Sequence, residues 1–237
     1  MAYDFIGLVN DVCGRLNEVK LTTTNFATTT GYYTFVKEAV NSAIRHIQQE
    51  EFEWTWNHVE QELTLVAGVS REPYPADAKV INMQSFRIKR DATLGNGTEY
   101  LREITYEEYL EKFVDQEYDS DTSNRGIPRM IVRAPSREFI LVPEPDKAYK
   151  LVYEYYLLGF DLEGHDDVPQ IPEPYRHVII NGAMYYVYQF RNDAQMANMS
   201  QVLFEDGIKH LRSLHINRYK EVRDRRVSTT GMGTRGF

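Results

Sequence analysis

The sequence predicts an α+β protein. We expect a helical bundle built from both chain ends, an inserted antiparallel β-sandwich or small barrel, and an extended C-terminal tail. Three observations predict this arrangement. Apolar residues recur at helical spacing near both ends of the chain. Between them the pattern changes to short strands separated by turn residues. The final residues, from 227 onward, show no periodicity.

These changes of pattern divide the 237-residue chain into four segments. Residues 1–57 and 169–225 form the two parts of the helical bundle. Residues 58–168 form the inserted β domain with one short helix, and residues 226–237 form the tail. A composition of 42 % hydrophobic and 26 % charged residues is typical of a globular protein. A chain of this length buries roughly 70 % of its unfolded surface, so its core needs no cross-links.

Two N-terminal helices follow from the spacing of apolar residues. The apolar positions of the first helix alternate at spacings of four and three: Phe5, Val9, Val12, Leu16 and Val19. The threonine-rich residues 21–30 interrupt this pattern. A second helix follows Gly31, with Val36, Val40, Ala43 and Ile47 on one side. Trp54 and Trp56 close the segment.

The central segment is predicted to form short strands. They cover residues 58–66, 80–88, 100–104, 129–133, 138–142 and 149–157. Asn96-Gly97 predicts a tight turn before the third strand. One short helix is expected over residues 105–114, where Thr105 caps the start and Glu108 completes a capping box. Residues 116–126 read as an acidic, polar loop.

Prolines 169, 172 and 174 mark the return to helix. The helix expected over residues 175–190 is apolar nearly all round, which is typical of a helix buried on several sides. Asn192 and Asp193 form a hinge and N-cap before a long helix over residues 194–223. Its apolar residues are Met196, Met199, Leu203, Ile208, Leu211, Leu214, Tyr219 and Val222.

Charge is distributed unevenly along the chain. The formal net charge is −8, but residues 209–237 hold eight basic and two acidic residues, a net of +6 that leaves −14 for the rest. Residues 99–121 hold nine acids and two bases, a net of −7. This pattern fits a solvated acidic face with a solubilising tail. It also fits a basic C-terminus that docks on an acidic partner such as another copy of this chain.

Catalytic and metal-binding patterns are not found, so we predict no catalytic residue, no metal site and no cofactor. Cys13, the single cysteine, excludes an intrachain disulfide and is expected to be a buried apolar residue. The G-x-G-x-x-G at residues 231–236 leaves one residue for the helix that this motif requires. The longest nearly apolar stretch, residues 178–190, is 13 residues long. A membrane span needs about 20 residues, so we expect no membrane span. We also expect no secretory signal, and a protein that stays in a reducing compartment.

Several stretches in the second half of the chain carry a family resemblance. Residues 139–146 (FILVPEPD) lead into residues 149–156 (YKLVYEYY). Residues 167–175 (DVPQIPEPY) are followed by residues 179–183 (IINGA), a long helix and a basic tail. From residue 128 to residue 225 the chain resembles the head-to-tail adaptor of tailed bacteriophages, called tail tubular protein A in short-tailed phages.

The resemblance implies a structural protein of the virion, at the head–tail interface and assembled in the host cytoplasm. Such proteins form a ring, typically of twelve copies, that joins the portal protein at the capsid vertex to a downstream tail or nozzle protein. The ring continues the DNA channel and lets DNA pass without specific binding. By this resemblance the tail grips the portal through Arg225, Arg226, Val227, Arg235 and Phe237. Asp115, Glu117, Asp119 and Asp121 lie at the channel wall or at a subunit contact.

Two alternatives remain open on the sequence alone. The basic tail fits a nucleic-acid-binding packaging accessory, whose binding would weaken steeply with salt. A hydrolase would need an unrecognised carboxylate pair or Cys13 as its nucleophile. The resemblance and the sequence patterns together favour the structural adaptor, which is not an enzyme.

Overall fold

The computed structural model describes residues 2–51, 53–118 and 122–216, with the backbone alone for Tyr118 and Thr122. Within these ranges seven α-helices and eight β-strands confirm the predicted α+β class. The chain divides into a helical unit, Met1–Trp56 with Phe160–Phe237, and a β unit, Asn57–Gly159. The β unit therefore ends before residue 168, because Leu162 is buried in the helical unit, where its N–H and carbonyl pair with the Asn41 side chain.

Five helices build the described part of the helical unit. They are α1 (Phe5–Arg15), α2 (Thr23–Phe26), α3 (Tyr32–Glu50), α6 (Arg176–Phe190) and α7 (Ala194–His215). α1 ends before the predicted Val19, because Asn17 takes a left-handed conformation (φ 56°) and the Glu18 N–H bonds back to the Cys13 carbonyl. This is a common way for a helix to stop. Val19 is consequently exposed.

The α6 helix packs closely against α3 and α7 because small residues line the contact. A Cβ on Gly182 of α6 would lie 2.6 Å from the Phe204 ring and 2.8 Å from the Ala43 methyl. A Cβ on Gly207 of α7 would lie 2.9 Å from Val178. Both glycines are therefore required by close helix packing, and the predicted burial of α6 on several sides is observed.

The α7 helix buries a different face from the one that its longest apolar residues suggest. The Asp193 side chain caps its start, as predicted, by accepting a hydrogen bond of 3.1 Å from the Met196 N–H. The buried residues of α7 are Ala197, Ser200, Phe204, Ile208 and Leu211. Met196, Met199, Val202, Leu203 and Leu214 are exposed.

The β unit contains two four-stranded sheets. The first has the order β1-β8-β3-β4 and the second the order β2-β7-β6-β5. The strands are β1 (His58–Thr64), β2 (Arg71–Pro73), β3 (Ala78–Ile88), β4 (Glu99–Tyr100), β5 (Arg102–Ile104), β6 (Met130–Ala134), β7 (Glu138–Val142) and β8 (Lys150–Leu157). Pro73 ends β2 at the edge of its sheet, where a missing N–H is tolerated.

An aromatic cluster joins the two sheets. Phe86 of β3 and Tyr153 of β8 stack with ring centroids 4.7 Å apart. Phe139 of β7, in the other sheet, meets Phe86 edge-on at 5.1 Å. These three side chains are buried and lie in one core cluster with residues of both sheets, so the sheets pack face to face as a sandwich.

Two local features of the sandwich differ from expectation. β5 pairs in parallel with β6, in the register Arg102↔Met130, whereas the other described strand pairs are antiparallel. A parallel pair needs a long crossover, and the helical residues after β5 provide it. The turn before β4 spans residues 92–95, with Gly95 at φ 74°, because Asn96 forms a bridge with Asp91 instead of occupying the turn.

Candidate functional site

The acidic segment, residues 99–121, crosses from β5 towards β6 by way of two helices. The predicted helix over residues 105–114 is instead α4 (Tyr106–Lys112) and α5 (Val114–Tyr118), separated at Phe113, whose φ of −128° is not helical. The Thr105 side chain caps α4 by accepting a hydrogen bond of 3.2 Å from the Glu108 N–H. The Glu108 carboxylate pairs with Lys112 at 2.9 Å.

The inner side of α4 is buried against the second sheet. Tyr109 lies in a core cluster with residues of β5, β6 and β7, namely Ile104, Val132, Ala134, Ile140 and Val142. β6 and β7 are therefore buried on both faces, by the sandwich core on one side and by α4 on the other. This packing holds the acidic segment in place.

Glu117 ties the far end of the segment to the sheet. Its carboxylate accepts hydrogen bonds from Arg71 Nε and from Arg71 Nη2, the second at 2.9 Å, and from the Tyr109 hydroxyl at 2.6 Å. The side chains of Glu117 and Arg71 are only 18 % and 35 % exposed. The Arg71 guanidinium holds the pKa of Glu117 below its usual value, while burial raises the pKa of Tyr109 and keeps its phenol a donor.

The outer side of the segment carries exposed acids. Glu107 and Glu111 lie four residues apart on the exposed side of α4, and Asp115 is exposed on α5, after the break at Phe113. Asp115 is thus available to solvent or to a partner, whereas Glu117 is engaged within its own chain. Asp119 and Asp121 lie outside the described residues.

The C-terminal end of α7 is held by a second cluster, which we call the tail root: Thr55, Trp56, Tyr175, Arg212 and His215. The His215 imidazole lies 2.9 Å from the Thr55 hydroxyl and 2.7 Å from the Tyr175 hydroxyl. Its ring meets those of Trp56 and Tyr175 edge-on, at 5.0 and 5.1 Å. Burial lowers the pKa of His215, which favours the neutral ring.

Ion pairs complete the tail root. Arg212 pairs with the carboxylate of Glu50, donates to the Glu50 carbonyl at 3.0 Å, and lies 2.8 Å from the carboxylate of Glu51. These interactions join the last turn of α7 to the end of α3. The chain therefore leaves α7 from a fixed point. Residues 217–237, including Arg225, Arg226, Val227, Arg235 and Phe237, lie outside the described residues.

The tail root was not predicted from the sequence. The signal that was present is Trp54-x-Trp56, two large aromatic residues directly after a helix. Their indoles stack with centroids 4.5 Å apart, and Trp54 Nε1 donates to the Ile47 carbonyl at 2.8 Å. Trp54 supports Trp56 in this stack, and the Trp56 ring is the apolar surface against which His215 packs.

Several groups that could support chemistry have definite positions. Cys13 is buried in the helical core, and this burial raises the pKa of its thiol to about 11, so it stays protonated at neutral pH. Among the described residues no three His, Cys, Asp or Glu side chains converge as metal ligands would. A recess beside Tyr109 and Glu117 holds about 10 Å³, the room of a single water molecule.

No helix in the part of the chain that the structure describes has the length and hydropathy of a membrane span.

Comparison with known proteins completes the description. No curated protein matches the chain significantly. The family model described as SU10 adaptor protein matches residues 3–233, which covers both units and the residues beyond α7. On this nearly full-length match, the chain belongs to the SU10 adaptor protein family, a family of phage adaptors.

Proposed function

We propose that this protein is a structural subunit of the phage virion that forms a ring between the portal vertex of the capsid and the tail. The ring contains twelve copies, continues the DNA channel, and binds a downstream tail or nozzle protein. The observation that carries the proposal is the family match over residues 3–233. In this role the protein transforms no substrate and needs no cofactor or metal.

The tail root supports a docking role for the residues that follow it. A docking segment binds more tightly when the residue from which it starts is held in place, because less conformational entropy is then lost on binding. Arg212 and His215 fix that starting point at the end of α7. We assign the portal contact to Arg225 and Arg226 as ionic partners and to Val227, Arg235 and Phe237 as the remaining anchors.

The acidic segment supports a channel surface that repels DNA and does not bind it. A body with a net charge of −14 disfavours close contact with phosphates. We assign Asp115, Asp119 and Asp121 to the channel wall or to a subunit contact. Glu117 takes part indirectly, since its hydrogen bonds with Arg71 and Tyr109 hold the segment on the sheet.

Coexpression with the portal protein of the same phage tests the proposal. Negative-stain images are expected to show rings bound to the portal. The double variant Arg225→Glu, Arg226→Glu should lose portal binding and still unfold cooperatively. The matched control Arg90→Glu, Lys147→Glu makes the same charge change at two exposed positions of the β unit and should bind normally.

Two results would contradict this function. A chain that stays monomeric and does not bind the portal protein cannot be the ring subunit. Binding to duplex DNA that disappears in the Arg225→Glu, Arg226→Glu variant and weakens steeply with salt would instead favour the nucleic-acid-binding accessory.

A further inference from the structure

The first half of α7 exposes a line of apolar side chains, which we call the α7 stripe: Met196, Met199, Val202 and Leu203. They are 37 %, 57 %, 59 % and 57 % exposed. Phe204, Ile208 and Leu211 fill the core side of the same helix, so the stripe is a second apolar face rather than an edge of the core. Single exposed apolar residues are common, but four neighbours on one helix mark an interaction site.

The stripe lies in a stretch without charge. Residues 194–204 (AQMANMSQVLF) cover eleven positions, or about three turns of helix, without a single Asp, Glu, Lys or Arg. A solvent-facing helix normally carries charges on its outer side. Depletion of charge and enrichment of methionine are instead the marks of the centre of a protein interface.

The charge of the chain indicates what covers the stripe. Two copies, each with a net charge of −8, repel one another where their acidic surfaces face each other. An uncharged apolar helix face is the place where such copies can meet without opposing like charges. A basic partner such as a nucleic-acid-binding protein would find no charge attraction at this face. An identical copy would avoid like-charge repulsion there.

The four exposed apolar side chains of the stripe fit the centre of such a contact. A stable interface buries about 800 Å² on each partner. Its energy comes mainly from a few apolar anchors in the centre, surrounded by a polar rim that excludes water. The stripe provides the anchors, and the exposed neutral side chains of Gln195 and Asn198 provide part of the rim.

We propose that the α7 stripe is the surface through which one copy of this chain packs against the next. This inference rests on the proposed ring function and adds the location of the lateral contact. In a ring the contact is head-to-tail, so the stripe of one copy meets a different surface of its neighbour.

The test replaces two central anchors in the full-length chain. Met199→Lys with Leu203→Lys adds two positive charges to the stripe. The control, Glu205→Lys, makes the same change of two charge units at an exposed position on the other flank of α7, outside the stripe and its rim. Each variant is coexpressed with the portal protein. Ring formation is counted in negative stain, and the affinity between copies is measured by sedimentation velocity. Thermal unfolding of the isolated chain should be unchanged in both variants.

We expect the stripe variant to weaken association between copies at least about tenfold and to leave portal-bound subunits without closed rings. The control should form rings like the wild type. Rings that form equally well in the stripe variant would overturn this inference alone. Loss of rings in both variants would overturn it as well, since the effect would not be specific to the stripe. A wild type that never forms rings with the portal would overturn the proposed function and this inference together.

Discussion

Replacing Glu117 by glutamine tests whether the acidic segment is held to the β unit as the structure indicates. The substitution keeps the size of the side chain and removes its charge. The carboxylate accepts three hydrogen bonds, two from Arg71 and one from Tyr109. In the Glu117→Gln variant, one oxygen is replaced by an NH₂ group that faces the donors of Arg71 or Tyr109.

The expected loss of stability in the Glu117→Gln variant depends on how buried the Glu117 carboxylate is and on which partners Arg71 keeps. A hydrogen bond to a charged group contributes roughly 1.5–3 kcal/mol. Arg71 keeps a second carboxylate in the variant, because its Nη1 lies 3.6 Å from Glu138, so its guanidinium is not left unpaired and the loss stays towards the lower end of this range. We therefore expect a net loss of about 1–2 kcal/mol. For a chain of this size that corresponds to a melting temperature lower by roughly 3–6 °C.

Thermal unfolding at several pH values is the assay. The pKa of Glu117 is lowered in the folded protein, so its contribution to stability is present above its unfolded pKa of about 4.3 and is lost as the pH falls through the folded pKa. The difference between wild type and variant should accordingly be full at pH 7 and shrink towards pH 3. Asp115→Asn, at an exposed position of the same helix, is the control and should change stability by less than about 0.5 kcal/mol. Equal melting temperatures for the Glu117→Gln and Asp115→Asn variants at pH 7 would refute this reasoning.

Three further predictions concern the helical unit. Gly182→Ala places a methyl 2.6 Å from Phe204 and should cost about 1–3 kcal/mol in denaturant titrations. Gly14→Ala, whose nearest neighbour is 3.7 Å away, should be neutral or stabilising, and equal effects would contradict the packing. Because burial lowers the pKa of His215, the folded state binds fewer protons than the unfolded state below about pH 6.5, and acidification should destabilise it. His215→Gln should reduce this slope, and an unchanged slope would refute the assignment. Cys13 should react with a thiol reagent only after unfolding, and rapid labelling of the native protein would show that it is accessible.

Local patterns were predictable where they depend on neighbouring residues along the chain. The Thr105 and Asp193 caps occur where the sequence indicates them, because a capping side chain bonds to N–H groups two or three residues later. Most strands and the helices after Gly31 and Pro174 were also recognisable from their period. The break at Phe113 was not, since nothing in the alternation of apolar residues marks the end of so short a helix.

The residues that hold the candidate site together were harder to predict. Glu117 and Asp115 are two acids on one short helix, and only the position of Arg71, 46 residues earlier, separates the engaged carboxylate from the exposed one. His215 and Thr55 are likewise far apart in sequence and adjacent in space. Such pairs are set by tertiary packing and leave no local signal in the chain.

By itself, the sequence determined the α+β class, the helices at both ends, the acidic body with its basic end, and the resemblance to phage adaptors. The tertiary structure decided which face of α7 is buried. Helical spacing offers two apolar faces there, one with Phe204 and one with Met199 and Leu203. Phe204 is buried in the core because Gly182 leaves room for its ring, and the methionine face is left for solvent or a partner. Periodicity identifies a face, but the shape of the neighbouring helix selects it.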